Sequence, residues 1–209
     1  MFVKSVMKDK EKCYTAHLGD SLENALAKLE DYAIDGLPVL DGEKFIGVLT
    51  RYQIYRHYFE GSQTKGDYLK NVKVEEIVRE GLKVDKEEVF ERTLILLKDA
   101  PLVAVVDDED NFLGIVTRAD GLVQFESAFG VNTPGIRIAL TSVETEGRIK
   151  RLADIVRQFH ENIISLATFD ETDKLVRRIV LKVEKKDNLD GFIKKLEQSG
   201  FRILDIKEL

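Results

Sequence analysis

A single cysteine in 209 residues, Cys13, leaves no partner for an intrachain disulfide and suits a reducing compartment, so the expected location is the cytoplasm. No apolar run approaches the ~18 residues that span a bilayer. The opening residues, Met1-Phe2-Val3-Lys4 and then Lys8-Asp9-Lys10-Glu11-Lys12, are too charged for the core of a signal peptide. No membrane association is expected. Cations are not in excess either: 32 Lys and Arg face 38 Asp and Glu, giving a net charge of −6 with the signs interspersed, which argues against a nucleic-acid partner. Histidine is sparse. His17, His57 and His160 are scattered, and Cys13-x-x-x-His17 lacks the further ligands of a zinc site, so no metal is expected. No nucleophile with its base and no paired-carboxylate grouping stands out, so catalysis is not expected.

What the sequence does contain is a duplication. Gly47-Val48-Leu49-Thr50-Arg51 returns 67 residues later as Gly114-Ile115-Val116-Thr117-Arg118. That spacing is too long for a solenoid unit and too short for two ordinary domains, so it points to two half-lobes packed as one domain. In the first lobe, Asp20 and Glu23 give a capping-box signal for a helix with Leu22, Ala25, Leu26, Leu29 and Ala33 on one face, ended by Asp35-Gly36. Leu37 to Leu40 and Phe45 to Leu49 then read as a hairpin about Asp41-Gly42. In the second lobe, Asp85 and Glu88 are placed at the start of a helix with Val89, Thr93, Leu96 and Leu97 inward. Strands Leu102 to Val106 and Phe112 to Val116 follow, joined by a turn one residue longer, which aligns Ala104 with Pro38.

Gly130-Val131-Asn132-Thr133-Pro134-Gly135 is rich in turn formers and reads as a domain boundary. Beyond it the order changes. A strand (Ile136, Ile138, Leu140), a helix after Gly147 (Ile149, Leu152, Ala153, Val156, Phe159), strands Ile163 to Phe169 and Ile179 to Val183, a helix (Leu189 to Leu196) and a strand Phe201 to Ile206 give βαββαβ. This is the ferredoxin-like split arrangement, and the fold class is α+β.

Thr50 with Arg51, and Thr117 with Arg118, stand where a strand ends and a helix begins, a place with free N–H groups and the positive end of a helix dipole. Thr117 offers a hydroxyl, Arg118 a charged fork, and Asp120 a carboxylate suited to the paired hydroxyls of a ribose. The same residues can also be read as capping boxes, Thr117-x-x-Asp120 and Thr50-x-x-Gln53, and glutamine completes a cap without the charge that suits a ribose. Tyr52, Tyr55, Tyr58 and Phe59 cluster around one helix, either as packing within the domain or as an interface with a second copy.

Each lobe resembles a CBS domain, the module named after cystathionine β-synthase, through Leu37-Pro38-Val39, Gly47-x-x-Thr50 and Gly114-x-x-Thr117-x-x-Asp120. The resemblance implies a CBS pair over residues 1–128, with lobes of about 1–60 and 70–128. It also implies a cleft that binds AMP, ADP, ATP or S-adenosylmethionine, with no other cofactor. Carried over, it assigns Thr117 and Asp120 to ribose and phosphate, Val103 and Ala104 to the adenine wall, and Thr50 and Pro38 to the matching places in the first lobe. Gln53 and Ala104 depart from the Asp and Pro usual there. Pairing through the aromatic helix implies a homodimer.

Residues 135–209 look like an ACT domain, with Thr145-Glu146-Gly147 at its glycine turn and Asn162-Ile163 after its first helix. That resemblance implies an amino-acid site at Gly147 and Asn162, although Gly147 also reads as a tight turn and Asn162 as a helix C-cap. The order of modules is similar to AcuB-type proteins associated with acetoin utilisation. The function implied is a ligand-sensing regulatory protein, with a non-binding dimerisation or scaffold protein as the alternative.

Overall fold

Residues 1–143, 145–170 and 176–209 are described by the computed structural model, in which two units divide between Leu122 and Val123. The first unit runs through β1 (Lys8–Asp9), β2 (Ala16–His17), α1 (Leu22–Asp31), β3 (Leu37–Asp41), β4 (Lys44–Leu49), α2 (Arg51–Glu60), α3 (Lys65–Asn71) and α4 (Val74–Ile77). It continues with β5 (Arg79–Glu80), β6 (Lys83–Asp85), α5 (Phe90–Leu97), β7 (Leu102–Val106), β8 (Phe112–Thr117) and the start of α6 (Arg118–Ala128). The strands make two sheets, ordered β2-β3-β4-β5 and β1-β8-β7-β6.

Each sheet takes an edge strand from the far side of the repeat. Asp9 of β1 lies opposite Gly114 of β8, and Glu80 of β5 lies opposite Gly47 of β4. This explains why the duplicated motif begins with glycine. A Cβ at Gly47 would stand 2.1 Å from the Arg79 carbonyl oxygen, and one at Gly114 would stand 2.2 Å from that of Lys8. The second lobe is therefore completed by the start of the chain, with Val3 buried among Phe90, Val103 and Val116.

The hairpins form where expected, and the second turn holds the extra residue: Leu40 pairs with Phe45, whereas Val106 pairs with Phe112. Gly42 takes a positive φ in the first turn. In the second, Asp107 Oδ1 accepts from the backbone N–H groups of Glu109 and Asn111, both at 2.9 Å. Leu40, Phe45 and Val48 from one sheet meet Leu102, Ala104, Phe112 and Ile115 from the other in a shared apolar layer. The central strands are thus covered on both faces, which is why Leu37 to Leu40 and Leu102 to Val106 are continuously apolar rather than alternating, apart from Pro38.

Both early helices start differently from the sequence expectation. Ser21, not Asp20, caps α1, accepting from Asn24 N–H at 3.3 Å. Asp20 instead accepts from His17 N–H at 3.1 Å. The end of α1 comes at Asp31, and Ala33 takes φ 50° in the left-handed position where glycine is usual. Asp85 turns its carboxylate to Glu87 N–H, and α5 begins at Phe90 with no side-chain cap. Its N-terminal N–H at Phe90 donates to Met1 O at 2.9 Å, so the docked chain start does the work of a cap. Val89 is consequently exposed, and Phe90 takes its place in the core with Thr93 and Leu97. The aromatic cluster of α2 divides: Tyr58 packs 5.3 Å from the ring of Tyr68 against the first-lobe core, while Tyr52 and Phe59 are 68% and 82% exposed.

In the second unit, Val123–Leu209, β9 (Ile136–Val143), α7 (Arg148–Gln158), β10 (Ile163–Asp170), β11 (Val176–Val183), α8 (Leu189–Gln198) and β12 (Arg202–Glu208) follow in the βαββαβ order. The antiparallel sheet is ordered β10-β11-β9-β12, the split arrangement. Ile138, Leu140, Ile179 and Leu181 pack with Leu152, Ile155, Phe192 and Leu196 of the two helices. Ile149 and Ala153 of α7 lie on its exposed side, and Ile155 stands inward instead. Before β9, the Phe129 and Gly130 carbonyls accept from Ser165 Oγ and Lys182 Nζ, each at 2.9 Å.

Candidate functional site

Thr117 is the last residue of β8, opposite Leu102 of β7, and Arg118 opens α6. The strand-to-helix turn is closed by a reciprocal pair: Asp120 Oδ2 accepts from Thr117 N–H at 2.8 Å and from Thr117 Oγ1 at 2.6 Å, while Thr117 Oγ1 accepts from Asp120 N–H at 3.2 Å. This is capping-box geometry. It uses one carboxylate oxygen, and no hydrogen bond from a described residue reaches Oδ1. Beside it lies a cleft of about 310 Å³ lined by Thr117, Asp120, Tyr14, Ile34, Leu102 and Ile115, among others. One end is polar and the walls are apolar, the composition of a small-molecule site.

The first lobe builds a matching turn. Gln53 Oε1 accepts from Thr50 N–H at 2.6 Å and from Thr50 Oγ1 at 2.9 Å, and Thr50 Oγ1 accepts from Gln53 N–H at 3.3 Å. Its cleft, also about 310 Å³, includes Thr50, Gln53, Arg79, Glu80 and Asp99. The amide oxygen of Gln53 is occupied by the cap, and the carboxylates lining this cleft are those of Glu80 and Asp99.

The two arginines have structural partners. Arg118 Nε donates to Leu97 O at 2.8 Å and its Nη2 to Lys98 O at 3.3 Å. Arg51 Nη1 donates to Leu29 O at 3.3 Å and Nη2 pairs with Asp35 at 3.1 Å. In both lobes the guanidinium ties the start of the second helix to the end of the first. That satisfies carbonyls that a helix C-terminus leaves free.

Val103, Ala104 and Pro38, the residues expected to flank an adenine, do not line the cleft beside Thr117. Val103 and Ala104 are both 0% exposed, one in the second-lobe core and the other between the sheets. Pro38 is buried at the corresponding register, opposite Val48 as Ala104 is opposite Ile115. The residues of this stretch that line the cleft are Pro101 and Leu102. The cleft opens at the strand's start, whereas mid-strand residues are covered on both faces. Sequence reasoning also missed Lys8, Tyr14, Ala33 and Ile34. Tyr14 stacks on Tyr32 with ring centroids 3.6 Å apart, and the methyl of Ala33 reaches the cleft from its left-handed position.

In the second unit, Gly147 adopts φ 78° and precedes α7, and a cavity of about 400 Å³ includes it with Arg148, Lys150 and Thr168. Asn162 stands elsewhere. Its Nδ2 donates to Glu184 at 2.7 Å beyond Val183 of β11, whereas Gly147 follows Val143 at the other end of β9, and Val143 pairs with Val176. A strand of this length spans roughly 25 Å, so the two residues do not share a pocket within one chain. Asn162 does not cap α7, whose C-cap is Phe159.

Among the described residues, no group of three or more His, Cys, Asp and Glu could hold a metal ion, and no helix is long and apolar enough to cross a membrane. Cys13 packs against the layer between the sheets and donates to the Asp9 carbonyl at 3.2 Å. Burial, the largest influence, pushes its thiol up to about 11. At pH 8 its alkylation by iodoacetamide is expected to be roughly a hundredfold slower than that of a free thiol, because the thiolate is the reacting form. Unfolding in urea should restore the ordinary rate. An ordinary rate in the folded protein would mean that this segment opens readily.

Two sheets sharing an apolar layer, each followed by a threonine-led turn beside a cleft, define a duplicated α+β module. The CBS domain family matches residues 3–60, and the chain carries a CBS domain. The inosine-5′-monophosphate dehydrogenase of Methanocaldococcus jannaschii is 30% identical over 102 residues, covering 48% of this chain and 19% of that enzyme. The chain thus spans about a fifth of the length of this curated relative. The Listeria monocytogenes CbpB protein in complex with c-di-AMP matches with a TM-score of 0.54 at 32% identity, over 62% of this chain and 98% of that one. CBSX2 in complex with AMP has the same fold, with a TM-score of 0.52 at 20% identity over 59% of this chain and 95% of that one.

Proposed function

We propose that this chain is a ligand-sensing regulatory protein that binds one adenine nucleotide, of the AMP or c-di-AMP kind, in the cleft at Thr117 and Asp120. The observation that carries the reading is the division of Asp120: one oxygen closes the helix turn and the other accepts from no described residue, beside an apolar wall. A relative at 32% identity carries c-di-AMP, which supports the same ligand chemistry here. In this reading residues 1–128 form a CBS pair and residues 135–209 an ACT-type module that takes an amino acid near Gly147, the order being similar to AcuB-type proteins. The exposed Tyr52 and Phe59 of α2 are an interface for a homodimer. The ligand acts by favouring one packing of the two lobes, and it regulates only to the extent that it prefers that packing.

A scaffold with empty clefts is the second reading. It is favoured for the first lobe by Gln53, whose amide completes the cap with no charge left over. Thermal unfolding separates the two. At ~100 times its dissociation constant a nucleotide stabilises the fold by about 2.7 kcal/mol, a rise of roughly 5–11 °C for a chain of this size. If AMP and c-di-AMP both leave the melting temperature unmoved, the scaffold reading replaces the sensor.

A further inference from the structure

We propose that Lys8 holds the phosphate of a nucleotide in the Asp120 cleft, and that Arg118 is a clamp of the fold rather than a ligand contact. The assignment rests on the nucleotide reading above and adds to it the cation that recognises the ligand's charge.

Arg118 is the conspicuous candidate by sequence, but its Nε and Nη2 are spent on the carbonyls of Leu97 and Lys98. Arg51 makes the corresponding bond to Leu29 O in a lobe whose turn lacks a free carboxylate. A feature present in both lobes is explained by what both share, the joining of two helix ends. Lys8 differs. Lys8 and Arg118 both line the cleft, with Thr117, Asp120 and Asp35, but Lys8 clamps no carbonyl of a described residue, and β1 fixes its backbone opposite Ile115, two residues before Thr117 on the same strand. Its Nζ lies 5.6 Å from the Tyr14 ring centroid, and no carboxylate of a described residue pairs with it. Other lysines of this unit are committed: Lys4 to Glu87, Lys10 to Glu43, Lys83 to Asp110 and Lys28 to Asp20.

A cation that is held in place, lies over an aromatic ring and has no anion of its own suits a phosphate that arrives with the ligand. In the other cleft Arg79 stands at the position matching Lys8, opposite Val48, beside a turn whose Gln53 has no carboxylate to offer a ribose. Because Lys8 belongs to the chain's first residues while Thr117 and Asp120 belong to the second lobe, the ligand also bridges the docked segment to that lobe.

Isothermal titration of the full chain with AMP and with adenosine tests the assignment. The wild type is expected to prefer AMP, and Lys8→Gln to lose about tenfold in AMP affinity while adenosine affinity and the ligand-free melting temperature stay as they were. Arg118→Gln is expected to lower the melting temperature and keep the preference for AMP. A Lys8→Gln protein that still prefers AMP by the wild-type ratio, or loses both ligands equally, overturns the assignment while leaving the cleft reading intact. A wild type that binds neither compound overturns this assignment, and one that also fails to bind c-di-AMP overturns the cleft reading with it.

Discussion

Gly114→Ala is expected to lower the melting temperature by about 6–12 °C, from a destabilisation of about 3 kcal/mol. The new Cβ would lie 2.2 Å from the Lys8 carbonyl oxygen and 3.1 Å from its carbonyl carbon. These are backbone atoms, so no side chain can swing aside to make room. β1 must leave β8, and with it go the pairing of Lys8 with Ile115 and the seating of Val3 in the second-lobe core. Gly47→Ala meets the Arg79 carbonyl in the same way at 2.1 Å and is expected to match it. Gly66→Ala is the control. It lies in α3 with nothing within 4 Å of its Cβ, and helix propensity favours alanine by up to about 1 kcal/mol. Thermal or urea unfolding of the three variants decides the matter. Equal stability of Gly114→Ala and the wild type would mean that the borrowed strand does not pack on the repeat as described.

The same glycines mark how far the sequence could be read. Their spacing announced a duplication because the constraint acts twice, once per borrowed strand, and the hairpins were legible because Asp41-Gly42 and Asp107 to Asn111 carry local turn chemistry. Contacts between distant residues leave no such local mark. Nothing near Phe90 reveals that Met1 O will receive its N–H, so the local signal for the start of α5 points to Asp85 and Glu88. Asp20 and Ser21 are equally good caps by type, and the bond from His17 N–H to Asp20 decides between them. The cleft wall was displaced for a related reason. Apolar character rises toward the middle of β7 because both faces are covered there, so Val103 and Ala104 attract attention that belongs to Pro101 and Leu102. Lys8, Tyr14 and Ile34 come from three separate stretches that meet only when the sheets share their layer.

Asp120→Asn is expected to abolish most nucleotide binding while sparing the fold, and this pairing of outcomes separates a ligand site from a helix cap. An amide oxygen can accept from Thr117 N–H and Oγ1 just as Gln53 Oε1 accepts from Thr50 in the first lobe, so the turn should close. The variant loses the attraction between the half-buried carboxylate and the helix N-terminus, up to about 2 kcal/mol, and the melting temperature should fall by no more than roughly 4–8 °C. Binding suffers more, because the free oxygen becomes an N–H₂ donor and the charge that strengthens hydrogen bonds to ribose hydroxyls is gone. Loss of charged hydrogen bonds of this kind weakens affinity by about 10- to 100-fold. Gln53→Ala is expected to behave in the opposite sense. It removes the reach-back half of the first-lobe capping box while Thr50 Oγ1 still accepts from the backbone N–H at position 53, costing about 1 kcal/mol and roughly 2–4 °C of melting temperature, and it leaves AMP affinity as in the wild type. Calorimetric titration with AMP or c-di-AMP beside thermal unfolding reads both effects. If Asp120→Asn binds like the wild type, Asp120 serves only as a cap, and the nucleotide contacts must be sought among the other residues of the cleft.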